Sequence, residues 1–401
     1  MAGGGEGGDA GILHLLMFPW PAFGHISPFA PRKLVSIDSK IRVTFLTSAG
    51  TVPRVEAMLA SSAKVTPLSL PHIPGLPSCA SSTADLTADG AELLKLAVLY
   101  FVVFSASSFA YTTVPSRHPS SGHVELMAGP PGFPATSALA TAPAHQARDL
   151  AYLYTSFHDM PTVYDRVLAG VNGSDGLVMK TCRDMEGSYI DYISAQYGNN
   201  KRVLLAGPTT ATETFLPAAA ATELLLGLEA TRSPFLAVLN FPKQAAMDDA
   251  AATELEAIIP VGLEERLEGR GVVHTGWVQQ QQILRHRSVG CFVNHAGFSS
   301  VVEGLVAGCR LVMLPMKVEQ HFNARLFARE LRVGVEVARR DEDGWFGRQD
   351  VRDAVEAAVA SGGGEEDDAR KWREFFTNED VQSKFAVDFV RELKEVVKGQ
   401  A

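Results

Sequence analysis

Trp277 to Gln320 reads WVQQQQILRHRSVGCFVNHAGFSSVVEGLVAGCRLVMLPMKVEQ. Two short apolar runs stand in it, Cys291–Asn294 (CFVN) and Leu311–Leu314 (LVML), and a helical stretch lies between them. A short run rich in apolar residues and bounded by turn residues suits a strand of a parallel sheet. The first strand ends at His295, Ala296 and Gly297 supply a small-residue turn, and a helix is expected to start near Ser299. A helix opening at a strand end presents unbonded backbone N–H groups and the positive end of its dipole, which suits an anionic ligand. Ser300-x-x-Glu303 also has the spacing of a capping box, which needs no ligand.

The pattern repeats along the chain. Ile12–Phe18, Ile41–Thr47, Gly176–Lys180, Val203–Ala206, Phe235–Asn240 and Gly271–His274 read as further strands. Helical periodicity covers Pro28–Ser36, Ala91–Val98, Thr162–Ala169, Met185–Tyr197, Pro217–Glu229, Val351–Ala360 and Val381–Val397. Residues 63 to 90 and Gly122–Pro134 hold the Gly, Pro and Ser of loops. Alternating strands and helices predict an α/β protein, and two successive series predict two Rossmann-like domains with a cleft at the strand carboxyl ends. The division expected is a disordered Gly-rich lead-in at 1–10, a first domain at 11–208, a second at 209–380 and a C-terminal helix at 381–401.

Composition narrows the class. The chain has 401 residues, 46% of them hydrophobic and 20% charged, and a formal net charge of −9. That balance is ordinary for a soluble globular protein and argues against a nucleic-acid partner, which demands a basic surface. The four cysteines, Cys79, Cys182, Cys291 and Cys309, form neither a CxxC pair nor a zinc spacing, so free thiols in a reducing compartment are expected. MAGGGEGGDA lacks the basic start and apolar core of a signal peptide, and a cytoplasmic location is expected. Leu96–Ser116 carries no charge and is long enough to span a bilayer. Its Ser, Thr and Pro content favours a helix end, a buried strand and a further helix run together, so no integral membrane span is expected.

The set Trp277, Gln280, His286, Gly290, His295, Gly297, Ser300, Glu303, Gly308, Pro315, Glu319 and Gln320 resembles the sugar-donor signature of plant family-1 UDP-glycosyltransferases. The form AGFSS at Ala296–Ser300 resembles the subgroup that glycosylates flavonoid and anthocyanin glycosides. The resemblance implies a GT-B fold in which the first half takes the acceptor, the second half takes a UDP-sugar, and the last helix returns to the first half. It implies that Trp277 stacks on uracil with Val278 beside it, that Gln280 and Glu303 bond the ribose, and that Glu319 and Gln320 hold sugar hydroxyls. His295, Gly297, Phe298, Ser299 and Ser300 would surround the diphosphate. UDP-sugar is then a co-substrate, with neither a cofactor nor a metal required, and the other partner is a small phenolic or glycosylated acceptor.

Phe18–Phe29 (FPWPAFGHISPF) follows the first strand, and the same resemblance makes His25 the general base of an inverting transfer. The family orients that base with an Asp on a later strand, yet no Asp or Glu occurs from Leu93 to His123. After Gly207-Pro208 the expected strand and Gly/Ser loop are also absent, so the chain is read as shortened in both domains. The alternative function is therefore an impaired relative that still binds UDP-sugar. A nicotinamide oxidoreductase is disfavoured, because no GxGxxG precedes an acidic strand end.

Overall fold

A computed structural model describes residues 13–17, 37–47, 65–69, 98–117, 123–157, 160–198, 201–207, 216–239, 258–276, 278–360 and 364–398. Its strands are β1 (Leu13–Met17), β2 (Ile41–Thr47), β3 (Val65–Ser69), β4 (Leu99–Val102), β5 (Gly176–Met179), β6 (Arg202–Leu205), β7 (Phe235–Leu239), β8 (Gly271–Thr275), β9 (Cys291–Asn294), β10 (Arg310–Met313) and β11 (Gly334–Glu336). They pair in the orders β1-β2-β3, β4-β5-β6, β7-β8 and β11-β10-β9. Every ladder is parallel. Parallel neighbours require crossover connections, and the described ones, β4 to β5, β5 to β6, β9 to β10 and β10 to β11, contain helices. The helices that matter below are α1 (Ala106–Thr112), α2 (Arg183–Tyr197), α3 (Ala218–Ala230), α4 (Gln280–Leu284), α5 (Phe298–Ala307), α6 (Val318–Arg325), α7 (Arg348–Ala360) and α8 (Glu379–Lys398). This is the expected α/β architecture. The helix predicted at 28–36 and residues 91–97 of the one predicted at Ala91–Val98 lie outside the described residues, and Val98 itself is not helical.

Two loop expectations are corrected. Residues 65–69 form β3 despite Pro67, which stands opposite Phe45 in the β2–β3 register. Proline removes one ladder donor, and β3 tolerates this because it ends the order of its sheet. Gly122–Pro134 is not simply a surface loop, since Glu125–Met127 makes a short 3-10 turn that buries Leu126.

Of the uncharged stretch at 96–116, the strand and the following helix are present as expected, and the helix end at 96–97 lies outside the described residues. β4 ends at Val102, Ser105 caps α1 by accepting from the Ser108 N–H, and all seven residues of α1 are buried. Its first N–H groups are met by a buried carboxylate: Glu186 accepts from Ala106 N at 3.1 Å, Ser107 N at 2.8 Å and Thr181 Oγ1 at 2.6 Å. Among the described residues no helix is long and apolar enough to cross a membrane.

One apolar core joins the two halves. Phe109, Tyr111 and Tyr189 from the first half pack in the same cluster as Phe298, Phe322 and Phe327 from the second. The Tyr111 and Phe322 ring centroids are 4.7 Å apart. Polar contacts follow the same seam: Glu330 accepts from Tyr189 OH at 2.6 Å and Ser137 Oγ at 2.9 Å, and Arg325 donates to Gln146 at 3.0 Å. A second core lies under α3 and α7, where Gly227 lets the helices touch; a Cβ there would stand 2.6 Å from Val351 Cβ and 2.8 Å from Arg348 O. The C-terminal helix returns to the first half as the fold class implies. Phe389, Val390, Leu393 and Val396 of α8 pack on Met17, Ile41 and Val43, and Lys394 pairs with Asp38.

Candidate active site

The site is built at the carboxyl ends of β9 and β10. Asn294, the last residue of β9, organises the turn that follows it. Its Oδ1 accepts from Ala296 N at 2.9 Å, its own carbonyl accepts from Leu314 N at 2.8 Å, and Asn323 Nδ2 holds the Ala296 carbonyl at 3.0 Å. These bonds keep Ala296 at φ 57°, a left-handed conformation that is uncommon for residues other than Gly, Asn and Asp. The chain is thereby turned so that α5 begins at Phe298, with its first turn facing the end of the sheet.

Gly297 is the N-cap of α5 and makes no side-chain capping bond. The capping-box reading of Ser300 and Glu303 is thus set aside: Ser300 is not the cap residue, and Glu303 points elsewhere. Glu303 accepts from Gln280 Nε2 at 2.8 Å and from Gln281 Nε2 at 3.2 Å, so α4 and α5 present one carboxylate between two amides. Ser299 and Ser300 are buried, and the Ser299 hydroxyl has no hydrogen-bond partner among the described residues. Burial pushes the His295 imidazole down to about 4, so it stays neutral at physiological pH. Phe298 meets Phe327 edge-on, with centroids 5.4 Å apart.

Glu319 and Gln320 are not on a solvated loop. They occupy the first turn of α6, and Gln320 is buried with its Oε1 accepting from Met316 N at 2.9 Å and Lys317 N at 3.1 Å. Gln320 therefore also shapes the loop after β10. Burial raises the pKa of Glu319 above the usual carboxylate range, while Lys180 and Lys317 oppose the shift. Val278 is half-buried before α4. His25 and Trp277 lie outside the described residues. Gln280, His295, Gly297, Phe298, Ser299, Ser300, Glu303, Glu319 and Gln320 thus gather around two adjacent strand ends. Cys182, Cys291 and Cys309 are free thiols, and Cys79 is outside the described residues.

Two neighbours of these residues escape a reading of the sequence. Gln281 was one of four consecutive glutamines, and only the α4–α5 packing shows that it shares Glu303 with Gln280. Lys180 follows β5 and looks like a solvated strand end, yet it is 2% exposed and its Nζ lies 6.0 Å from the Phe298 ring centroid.

A family model described as UDP-glucoronosyl and UDP-glucosyl transferase matches residues 265–360. An anthocyanidin-3-O-glucoside rhamnosyltransferase of Petunia hybrida is 39% identical, with 96% of this chain and 97% of that protein covered. An anthocyanidin 3-O-glucoside 2''-O-glucosyltransferase of Ipomoea nil is 31% identical, covering 98% and 100%. The petunia alignment runs over 468 positions, more than the 401 residues of this chain, so that relative carries internal stretches this chain lacks. Among solved structures, Medicago truncatula UGT71G1 with UDP-glucose superposes with a TM-score of 0.70 at 15% identity, covering 96% of this chain and 98% of that one. A transferase from Siraitia grosvenorii in complex with UDP gives 0.71 at 19% identity, covering 95% and 100%. With the strand-end site, the parallel α/β halves and these likenesses together, the chain belongs to the plant family-1 UDP-glycosyltransferases and has their GT-B fold.

Proposed function

We propose that this protein is an inverting O-glycosyltransferase that moves a sugar from a UDP-sugar to a hydroxyl of a flavonoid or flavonoid glycoside. The observation that carries the donor half is Glu303, held by Gln280 and Gln281 beside the uncapped start of α5. A carboxylate between two amides suits a vicinal diol such as that of ribose, and an uncapped helix start suits a diphosphate. Trp277 stacks on the uracil next to Val278. Neutral His295 and the Ser299 and Ser300 hydroxyls, with Gly297 allowing close approach and Phe298 walling the site, serve the diphosphate. Glu319 and Gln320 take the sugar hydroxyls. The acceptor class is supported by the names of the petunia and Ipomoea relatives.

In this reading residues 11–208 bind the acceptor, 209–380 bind the donor, and 381–401 tie the second part back to the first. His25 removes the proton from the acceptor hydroxyl as its oxygen attacks the anomeric carbon. UDP departs on the opposite face, so the configuration inverts, and its developing charge is met by α5 and the site donors with no metal invoked. A cytosolic location fits the same reading. No contact among the described residues favours the alternative of an inactive relative.

The test is incubation with UDP-glucose, UDP-xylose or UDP-rhamnose against flavonoids and their glycosides, following UDP release and product mass. Turnover that His25→Ala abolishes is expected. Turnover that survives His25→Ala removes the assigned base, and UDP binding without any turnover selects the impaired relative.

A further inference from the structure

Lys180 stands where β5 of the first half ends, and its ammonium lies over the ring of Phe298, the first residue of α5 in the second half. Its stem is enclosed, with 2% of the residue exposed. Among the described residues no hydrogen bond engages its ammonium. The Phe298 ring is 6.0 Å from Nζ, the outer limit of a cation–π contact. Glu319 and Glu186 act on it through space, but Glu186 already accepts three hydrogen bonds from Ala106, Ser107 and Thr181. A buried ammonium carries three donors, and leaving them unmet is costly. No described residue supplies an acceptor to this enclosed ammonium beside Phe298, which suits it to meet a ligand.

We propose that Lys180 donates a hydrogen bond to a hydroxyl of the transferred sugar across from Glu319, and so acts as a specificity-determining residue delivered by the acceptor-binding half. This rests on the donor-site reading given above. A sugar hydroxyl is chosen because the carboxylate that shares Lys180's field is Glu319 at the start of α6, the group read above as a sugar ligand. The ring under Nζ, Phe298, also opens α5, so the titration below is built to separate sugar from diphosphate. The two charges then grip one pyranose from opposite sides, with Lys180 donating and the Glu319 carboxylate accepting. Donors that differ in hydroxyls around the ring would be ranked by this pair.

Calorimetric titration with UDP and with UDP-glucose separates the contributions of nucleotide and sugar. Lys180→Met is expected to bind UDP as the wild type does and to bind UDP-glucose about tenfold more weakly, the scale of one charge-assisted hydrogen bond. Glu319→Gln should show the same split, and the double variant should lose less than the two single losses combined, because both groups hold one sugar. UDP binding by each variant reports that it is folded. Equal weakening of UDP and UDP-glucose in Lys180→Met would assign the lysine to the diphosphate and overturn the proposal, as would unchanged UDP-glucose affinity. Absence of UDP binding by the wild-type protein would instead remove the donor-site reading, and the Lys180 proposal with it.

Discussion

Replacing Lys180 with Met should make the ligand-free protein more stable at neutral pH. Burial pulls the ammonium from 10.5 down to about 8, even with Glu319 and Glu186 opposing the shift. That displacement corresponds to about 3 kcal/mol at pH values below both constants, using ~1.4 kcal/mol per pH unit. The sign follows from proton counts. Between pH 8 and 10.5 the unfolded chain holds a proton on this lysine that the folded chain has released, so wild-type stability rises across that interval. Methionine has a similar length and no charge, so the variant lacks both the penalty and its relief. Urea unfolding of the two proteins at pH 7 and again near pH 10 provides the assay. The Met variant should lead by roughly 3 kcal/mol at the lower pH, and the lead should shrink at the higher one. A Met variant less stable than wild type at pH 7 would refute the reasoning, because it would mean that Glu319 and Glu186 fully compensate the buried charge. Retaining a destabilising lysine in the unliganded fold is what a ligand contact would require.

Three further outcomes are expected. Glu303→Gln should weaken UDP affinity at least about tenfold, since it replaces the carboxylate that two glutamines hold, while the half-exposed position leaves the melting temperature within roughly 2 °C; calorimetry and a melting curve check both. Glu186→Ala strips acceptors from two helix N–H groups and the Thr181 hydroxyl in a buried setting, and should cost about 3 kcal/mol in a urea titration. For His295 the folded constant of about 4 lies below the ordinary 6.5, so its share of stability is present above pH 6.5 and is lost as pH falls towards 4; His295→Gln should flatten the acid limb of the stability profile over that window.

Several parallel strands were legible because partial or full burial writes them as apolar-rich runs: GLVM in β5, CFV in β9 and LVM in β10 stand between turn residues. β3 was hidden by Pro67, which argues against a strand until its terminal place in the sheet order is known, and β11 is only three residues long. The site divides in the same way. Resemblance assigns a role to Glu303, but its double amide grip depends on how α4 lies against α5. Gln320 carries the expected amide, yet its oxygen is engaged by the loop after β10, a contact that motif spacing does not encode. Lys180 and Glu186 were missed for different reasons: Lys180 closes an apolar strand and is enclosed beside Phe298 of the second half, whereas Glu186 sits inside α2 and is enclosed by Ala106, Ser107 and Thr181 of the first half.

The single core that spans both halves has a thermodynamic corollary. Tyr111 against Phe322, Tyr189 against Glu330 and Gln146 against Arg325 tie the first half to the donor side by both apolar and polar contacts. A chain with two insulated cores would melt in two steps and would let its halves rock as separate bodies. Here the seam is itself part of the interior, so loosening either side exposes the other. The strand ends at β9 and β10 and the β4-β5-β6 sheet should lose amide-exchange protection together, and a lesion at Tyr189 should register as a change in nucleotide affinity at a distance.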